Sequence, residues 1–161
     1  MDIADRLEML ETRNALIDLI SGYAHGFDRH LPDLLREVFA DDAVLDLAEF
    51  GTYRGIDEIL GAAEQFWTAA PHMHHWMANP RLEIDLEAGT ASGVTALDCL
   101  CTYVDSGTAH IGGRYVDRFA RVADRWVIAE RVFDLAFVTP MPEWKPAQGS
   151  EAPVAVEAST Q

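Results

Sequence analysis

The stretch Pro71-His72-Met73-His74-His75-Trp76-Met77-Ala78-Asn79-Pro80 carries three of the six histidines in the chain. An imidazole titrates near neutral pH, so it is the side chain most often used to move a proton, and it also binds metals. A metal site needs further ligands at a clean spacing, such as His-Glu-x-x-His, and no such motif is present. Metal binding therefore ranks below acid–base work. If the stretch is extended, His74 and His75 point to opposite faces and at most one of them faces the interior. A base also needs a partner to orient it. Asp28 falls at the end of a helical pattern, in phase with Leu10, Ile17 and Ala24. Two readings stand: a carboxylate carried onto a buried face, where it must be paired, or a helix ending at His25-Gly26 with Asp28 capping the turn.

Three more polar side chains fall where chemistry is possible. Arg131 shares strand parity with Val127, Ala129 and Phe133. A guanidinium pointing inward cannot be neutralised and must find a carboxylate or an anionic ligand; the alternative is an outward Arg131 paired with Glu130 or Asp134. His110 precedes Ile111-Gly112-Gly113, where the glycine pair suits a bulge that bends a sheet. Tyr23 lies near the end of the first helix, with core packing as its alternative role. Cys99 and Cys101 share one face of a strand and read as buried core cysteines, too few for a disulfide framework or a zinc site. There is no phosphate-binding loop, dinucleotide glycine fingerprint or Gly-x-Ser-x-Gly elbow. The chemistry left is proton transfer by His and Asp in an apolar cavity, with a small molecule as partner and no cofactor.

These residues must be positioned by one domain. The 161 residues, 49% hydrophobic and 24% charged, suffice for a single core. A formal charge of −15, with Lys145 the only lysine, argues against nucleic acid and anionic membranes as partners. No apolar run reaches the ~18 residues of a membrane span, and Met1-Asp2-Ile3-Ala4-Asp5-Arg6 lacks a signal-peptide pattern, so the expected address is cytoplasmic.

Helical spacing runs from Ile3 to Phe27 through Leu7, Leu10, Ile17, Ile20 and Ala24. Pro32 opens a short second helix to Phe39, stopped by Asp41-Asp42. Residues 43–47 read as a strand, 50–55 as a turn, and 56–69 as a third helix closed by Pro71. Strands follow at 81–86, 90–104, 110–122 and 125–138. Helices followed by a run of strands define an α+β fold, a curved antiparallel sheet wrapped on N-terminal helices as a cone with an internal pocket. Residues 1–142 form this domain, and 143–161 are expected to be a flexible acidic tail.

The order of these segments resembles the SnoaL-like, nuclear-transport-factor-like superfamily, in the branch containing scytalone dehydratase, bile-acid 7α-dehydratase and hexachlorocyclohexane dehydrochlorinase. The matching stretches are Tyr23-Ala24-His25-Gly26-Phe27-Asp28, Phe39-Ala40-Asp41-Asp42-Ala43, Gly51-Thr52-Tyr53-Arg54-Gly55, His75 to Glu83, Ile111 to Tyr115, Trp126 to Arg131, and Thr139-Pro140. The resemblance implies His75 as catalytic base, Asp28 as the carboxylate that orients it, and Tyr23 as a catalytic tyrosine. Arg131, His110 and Tyr53 join as substrate-binding residues. The dehydrochlorinase's pocket tryptophan and cysteine fall on Leu45 and near Met73 here, which disfavours a chlorinated cyclohexane. The expected function is a cofactor-independent, dehydratase-like lyase acting on a small cyclic or aromatic substrate. Its rivals are an isomerase and a non-catalytic binder resembling oxygenase small subunits. The branch also implies a homo-oligomer, a trimer foremost, with Val138-Thr139-Pro140-Met141-Pro142 as an apolar contact.

Overall fold

The computed structural model describes residues 2–147; the rest of the expected acidic tail, 148–161, lies outside the described residues. The first helix, α1 (Ile3–Asp28), opens with a capping box: Asp2 accepts from the Asp5 backbone N–H at 3.0 Å, and Asp5 accepts from that of Asp2 at 2.9 Å. Its buried stripe is Thr12, Leu16, Ile20, Tyr23, Ala24 and Phe27, while Leu7 and Leu10 are exposed. The apolar stripe expected at Leu7 and Leu10 is thus corrected. The first two turns of α1 extend past the core, and burial starts only at Thr12. The helix runs on through Gly26 to Asp28, so the reading that ends it at His25-Gly26 is set aside.

Arg29 N–H donates to the His25 carbonyl, and His30 takes a positive φ of 55° to turn the chain. Pro32 then begins α2 (Pro32–Val38). The turn is tight enough that a Cβ on Gly26 would collide with the Leu35 side chain. Asp41 and Asp42 do not stop that helix. It ends at Val38, and both aspartates lie exposed inside β1 (Phe39–Asp46). The expected turn at 50–55 contains β2 (Thr52–Arg54), which pairs antiparallel with β1. The third helix, α3, is Ile56–Ala69, and its Trp67 indole N–H donates to the Phe27 carbonyl at 2.8 Å, joining it to the end of α1.

Four long strands complete the chain: β3 (His72–Asp85), β4 (Thr90–Tyr103), β5 (Gly107–Val122) and β6 (Arg125–Pro140). The six strands form one sheet in the order β2-β1-β6-β5-β4-β3. Strands β3 to β6 are an antiparallel meander as expected; the departure is β1, which pairs parallel with β6. The β5–β6 turn places Ala123 and Asp124 at φ 46° and 64°, the left-handed pair of a two-residue hairpin. The histidine stretch is not a boundary before the strands but the first half of edge strand β3. A register shift between Ala78 and Arg81, with Asn79 at φ 53°, bends β3 where Pro80 interrupts the ladder. A second shift follows Gly112, as its glycine pair suggested.

The sheet is curved and does not close, and the helices cover its concave face as a cone. Leu16, Ile20, Phe27, Phe39, Leu45, Ile59, Phe119 and Ile128 pack between the layers. Each such large side chain contributes about 1.5–3 kcal/mol through burial. Among the described residues no helix is long and apolar enough to cross a membrane.

Candidate active site

The last residue of α1 meets the edge strand. Asp28 Oδ1 lies 2.5 Å from His75 Nδ1, and Asp28 Oδ2 accepts the His75 backbone N–H at 2.9 Å. One carboxylate therefore fixes both the ring and the main chain beneath it. The contact depends on α1 keeping its phase for four residues past Ala24, and on strand alternation turning His75 inward while His74 turns out. The His75 side chain is 6% exposed and that of Asp28 15%. A carboxylate at Nδ1 can only accept, so in the neutral imidazole it selects the tautomer with the proton on Nδ1 and the lone pair on Nε2.

Next to this pair, the Tyr23 and Tyr115 hydroxyls are 3.0 Å apart, both buried. The Tyr23 ring stands edge-on to the His75 ring at 6.0 Å. Burial pushes the Tyr23 and Tyr115 hydroxyls well above the usual phenol range, so both keep their protons near neutral pH. The Arg131 guanidinium carbon lies 4.2 Å from the centroid of Tyr23 and 4.5 Å from that of Tyr115. Desolvated contacts of this kind are worth about 2 kcal/mol or more. Arg131 Nε and Nη2 donate to the two Asp117 oxygens at 2.7 and 2.8 Å, and both residues are fully buried. Burial alone would lower the Arg131 pKa, but the Asp117 charge and hydrogen bonds outweigh it and leave it raised.

His75, Tyr23 and Tyr115 line a cavity of about 540 Å³ of empty space, its mouth included. The remaining wall is apolar, with the rings of Phe27, Phe50, Phe66, Tyr103 and Phe133 alongside Cys99, Cys101 and Met73. Ligand sites commonly pair such walls with a few placed polar groups. Among the described residues, no three His, Cys, Asp or Glu side chains are grouped so as to hold a metal ion.

Of the residues singled out in the sequence, His75, Asp28 and Tyr23 come together. Arg131 reaches the same place from below, packed under the tyrosine rings with Asp117 rather than lining the cavity. Neither outward partner, Glu130 or Asp134, holds it; those pair with Arg118 and Arg114. His110 is corrected: it sits on the outer face of the sheet, bonded to Asp98 at 2.8 Å, because it is opposite the outward Leu100 in the β4–β5 register. Tyr53 also misses the cavity wall. Its hydroxyl donates to the Phe50 carbonyl and its ring packs on Phe66, so it holds two wall residues in place. His72 and His74 line an outer groove with His25 and His30.

Tyr115 and Asp117 were not anticipated. The available signal was parity: with Phe119 they alternate along β5 on its buried face, and an aspartate there calls for a buried cation.

A curved sheet cupping three helices around an acid–base pair is the architecture of a small cone-fold protein with an interior site. The chain belongs to the SnoaL-like family, whose domain model matches residues 8–132. It is similar to hexachlorocyclohexane dehydrochlorinase 1 of Sphingobium indicum, 26% identical over 137 residues covering 84% of this chain and 88% of that protein. Among solved structures, a type 2 hexachlorocyclohexane dehydrochlorinase matches with a TM-score of 0.83 at 25% identity, over 91% of this chain and 99% of the other. The type 3 enzyme of Novosphingobium barchaimii matches with a TM-score of 0.81 at 25% identity, over 88% and 99%.

Proposed function

We propose that this chain is a cofactor-independent lyase that eliminates a small leaving group from a neutral cyclic or aromatic substrate. The observation that carries the reading is the Asp28–His75 contact at the wall of an apolar cavity, beside two protonated phenols. His75 Nε2 takes a proton from substrate carbon or hydroxyl. Asp28 holds the tautomer and stabilises the imidazolium that forms, the role a carboxylate plays in hydrolase triads. Tyr23, with Tyr115 behind it, donates to the carbonyl or the departing group, and the Arg131 charge beneath the rings offsets negative charge gathering on a phenol oxygen. Aromatic walls, and the absence among the described residues of a Lys or Arg lining the cavity, favour an uncharged, flat substrate. The dehydrochlorinase relatives support elimination as the reaction type. A base held by a carboxylate at the wall of a cavity counts against a non-catalytic binder.

The apolar Val138–Pro142 segment, with Phe137 and Val138 each 43% exposed, suits contact with a second copy, and a homotrimer is part of the proposal. Sedimentation at micromolar concentration that returned only monomer would remove that part.

The test is a panel of small cyclic alcohols, ketols and halides analysed by mass spectrometry for products lighter by one water or one hydrogen halide. His75→Ala and Asp28→Asn are expected to cut product formation by about 10²–10⁴. Wild-type rates in both variants on an established substrate would overturn the mechanism, and a product of unchanged mass would make the protein an isomerase.

A further inference from the structure

The cavity contains a second reactive group that the acid–base chemistry does not use. Cys99 and Cys101 lie on the inner face of β4, their sulfurs 3.4 Å apart, and both line the cavity. They are 2% and 6% exposed, and they are the only two cysteines in the chain. In the β3–β4 register Cys99 is opposite His75 and Cys101 opposite Met73, so the pair occupies the wall adjoining the base. We propose that Cys99 and Cys101 form a two-sulfur chelating site for a trivalent thiophilic centre, of the organoarsenic(III) type, whose organic substituent lies in the aromatic cavity.

Three chemistries compete for a close pair of thiols, and geometry separates them. A disulfide requires the sulfurs to close to about 2.05 Å, some 1.4 Å nearer than they stand, and prefers Cα atoms within ~6.8 Å. Residues two apart on a strand are about 6.6 Å apart at Cα, at the top of that range. Their parallel Cβ atoms stand nearly as far apart, well beyond the ~3.5–4.5 Å a disulfide spans, so bridging would have to compress a pleat that both neighbouring ladders hold. Tetrahedral zinc, with Zn–S near 2.3 Å, spans about 3.8 Å between sulfurs and needs four ligands. The separation here is shorter, and no third donor is grouped with the pair among the described residues. A trivalent arsenical is pyramidal with bond angles near a right angle, so its two sulfurs sit closer than on a tetrahedral ion. It also brings its own third substituent and asks the protein for only two ligands.

The chemistry balances without an oxidant. An arsenoxide R–As=O condenses with two thiols. Two As–S bonds form, the oxide oxygen leaves as water with both thiol protons, and arsenic stays trivalent. The Cys99 thiol, held protonated by its hydrogen bond to Cys101 and by burial, suits this condensation, which uses S–H groups directly. The same protonation protects Cys99 from agents that attack free thiolates.

Phenylarsine oxide is the probe, because its ring matches the Phe and Tyr walls. Native mass spectrometry of the full chain should show one adduct per chain, resistant to excess 2-mercaptoethanol and removed by 2,3-dimercaptopropanol. Cys99→Ser and Cys101→Ser should each weaken binding at least ~100-fold, since a second attachment made within one molecule commonly multiplies affinity by that much or more. Circular dichroism checks that both variants fold. The proposal is overturned by no adduct on folded wild type, by an adduct that a monothiol strips, or by a single-cysteine variant that binds as tightly as wild type. None of these readouts depends on the lyase reading.

Discussion

Asp28 holds His75 at two points, the ring through one oxygen and the main chain through the other, across 47 residues of sequence. The doubled contact means that ring orientation and strand position are set together. Asp28→Asn keeps the volume but puts an N–H₂ where an acceptor is needed, which favours the tautomer with Nε2 protonated. On any substrate that turns over, kcat should fall by about 10²–10⁴. His75→Ala should fall as far, and the double variant no further, because the two residues act as one unit.

Tyr23 and Tyr115 share a hydrogen bond, so their effects should not add. Removing an aligned donor at a developing charge costs about 10²–10³ in kcat. Tyr23→Phe and Tyr115→Phe should each lose activity, and the double variant should resemble the worse single one. Full multiplication of the two losses would show that the hydroxyls act independently.

The Arg131–Asp117 pair predicts a stability effect apart from catalysis. Asp117→Asn leaves a buried guanidinium without a counter-charge and should destabilise the fold by about 3–5 kcal/mol. Replacing both partners with apolar residues of similar size should recover most of that loss. Urea denaturation of the single and double variants checks both statements, and equal stability for Asp117→Asn and wild type would mean the pair carries little.

Burial raises the pKa of Tyr23 and Tyr115 above the unfolded value near 10, so the fold prefers both protonated. Their contribution to stability is complete below pH ~10 and is lost as pH rises from there toward the folded values. In an alkaline titration followed by phenolate absorbance, Tyr23 and Tyr115 should ionise only as the fold is lost. Tyr103, pushed up to about 12, should also ionise late. Tyr115→Phe should make the alkaline loss of stability less steep.

Gly113 is fixed by space rather than by backbone freedom. A Cβ there would run into the Asp134 carbonyl and the Phe133 ring, and backbone cannot move aside cheaply. Gly113→Ala should cost about 1–3 kcal/mol, as overpacking usually does, read as a lowered Tm. A neutral outcome would show that the bend at this register shift is soft.

Much of the cone was legible because its signals are local. Helix phase, the Pro32 start and the strand alternation each depend on neighbours a few residues away. Strand parity also turned His75 and His74 to opposite faces. The misses depend on distance. Nothing near Asp41-Asp42 shows that β1 will pair parallel with β6. His110 read as a pocket residue because its face depends on register with Leu100, ten positions earlier in the chain. Tyr115 and Asp117 escaped notice because parity marks a buried face but does not name the partner, and here the partner Arg131 is on another strand. His75 and Asp28 were found together through the family resemblance rather than through spacing, which left Asp28 undecided between face and cap.

His75 lines the inner cavity on one side and, with Asp28, the outer groove of His25, His30, His72 and His74 on the other. His75 thus stands between the cavity and the groove, as Met73 beside it does. On the proposed mechanism, a ligand in the inner cavity meets one side of His75 while Asp28 stays on the groove side.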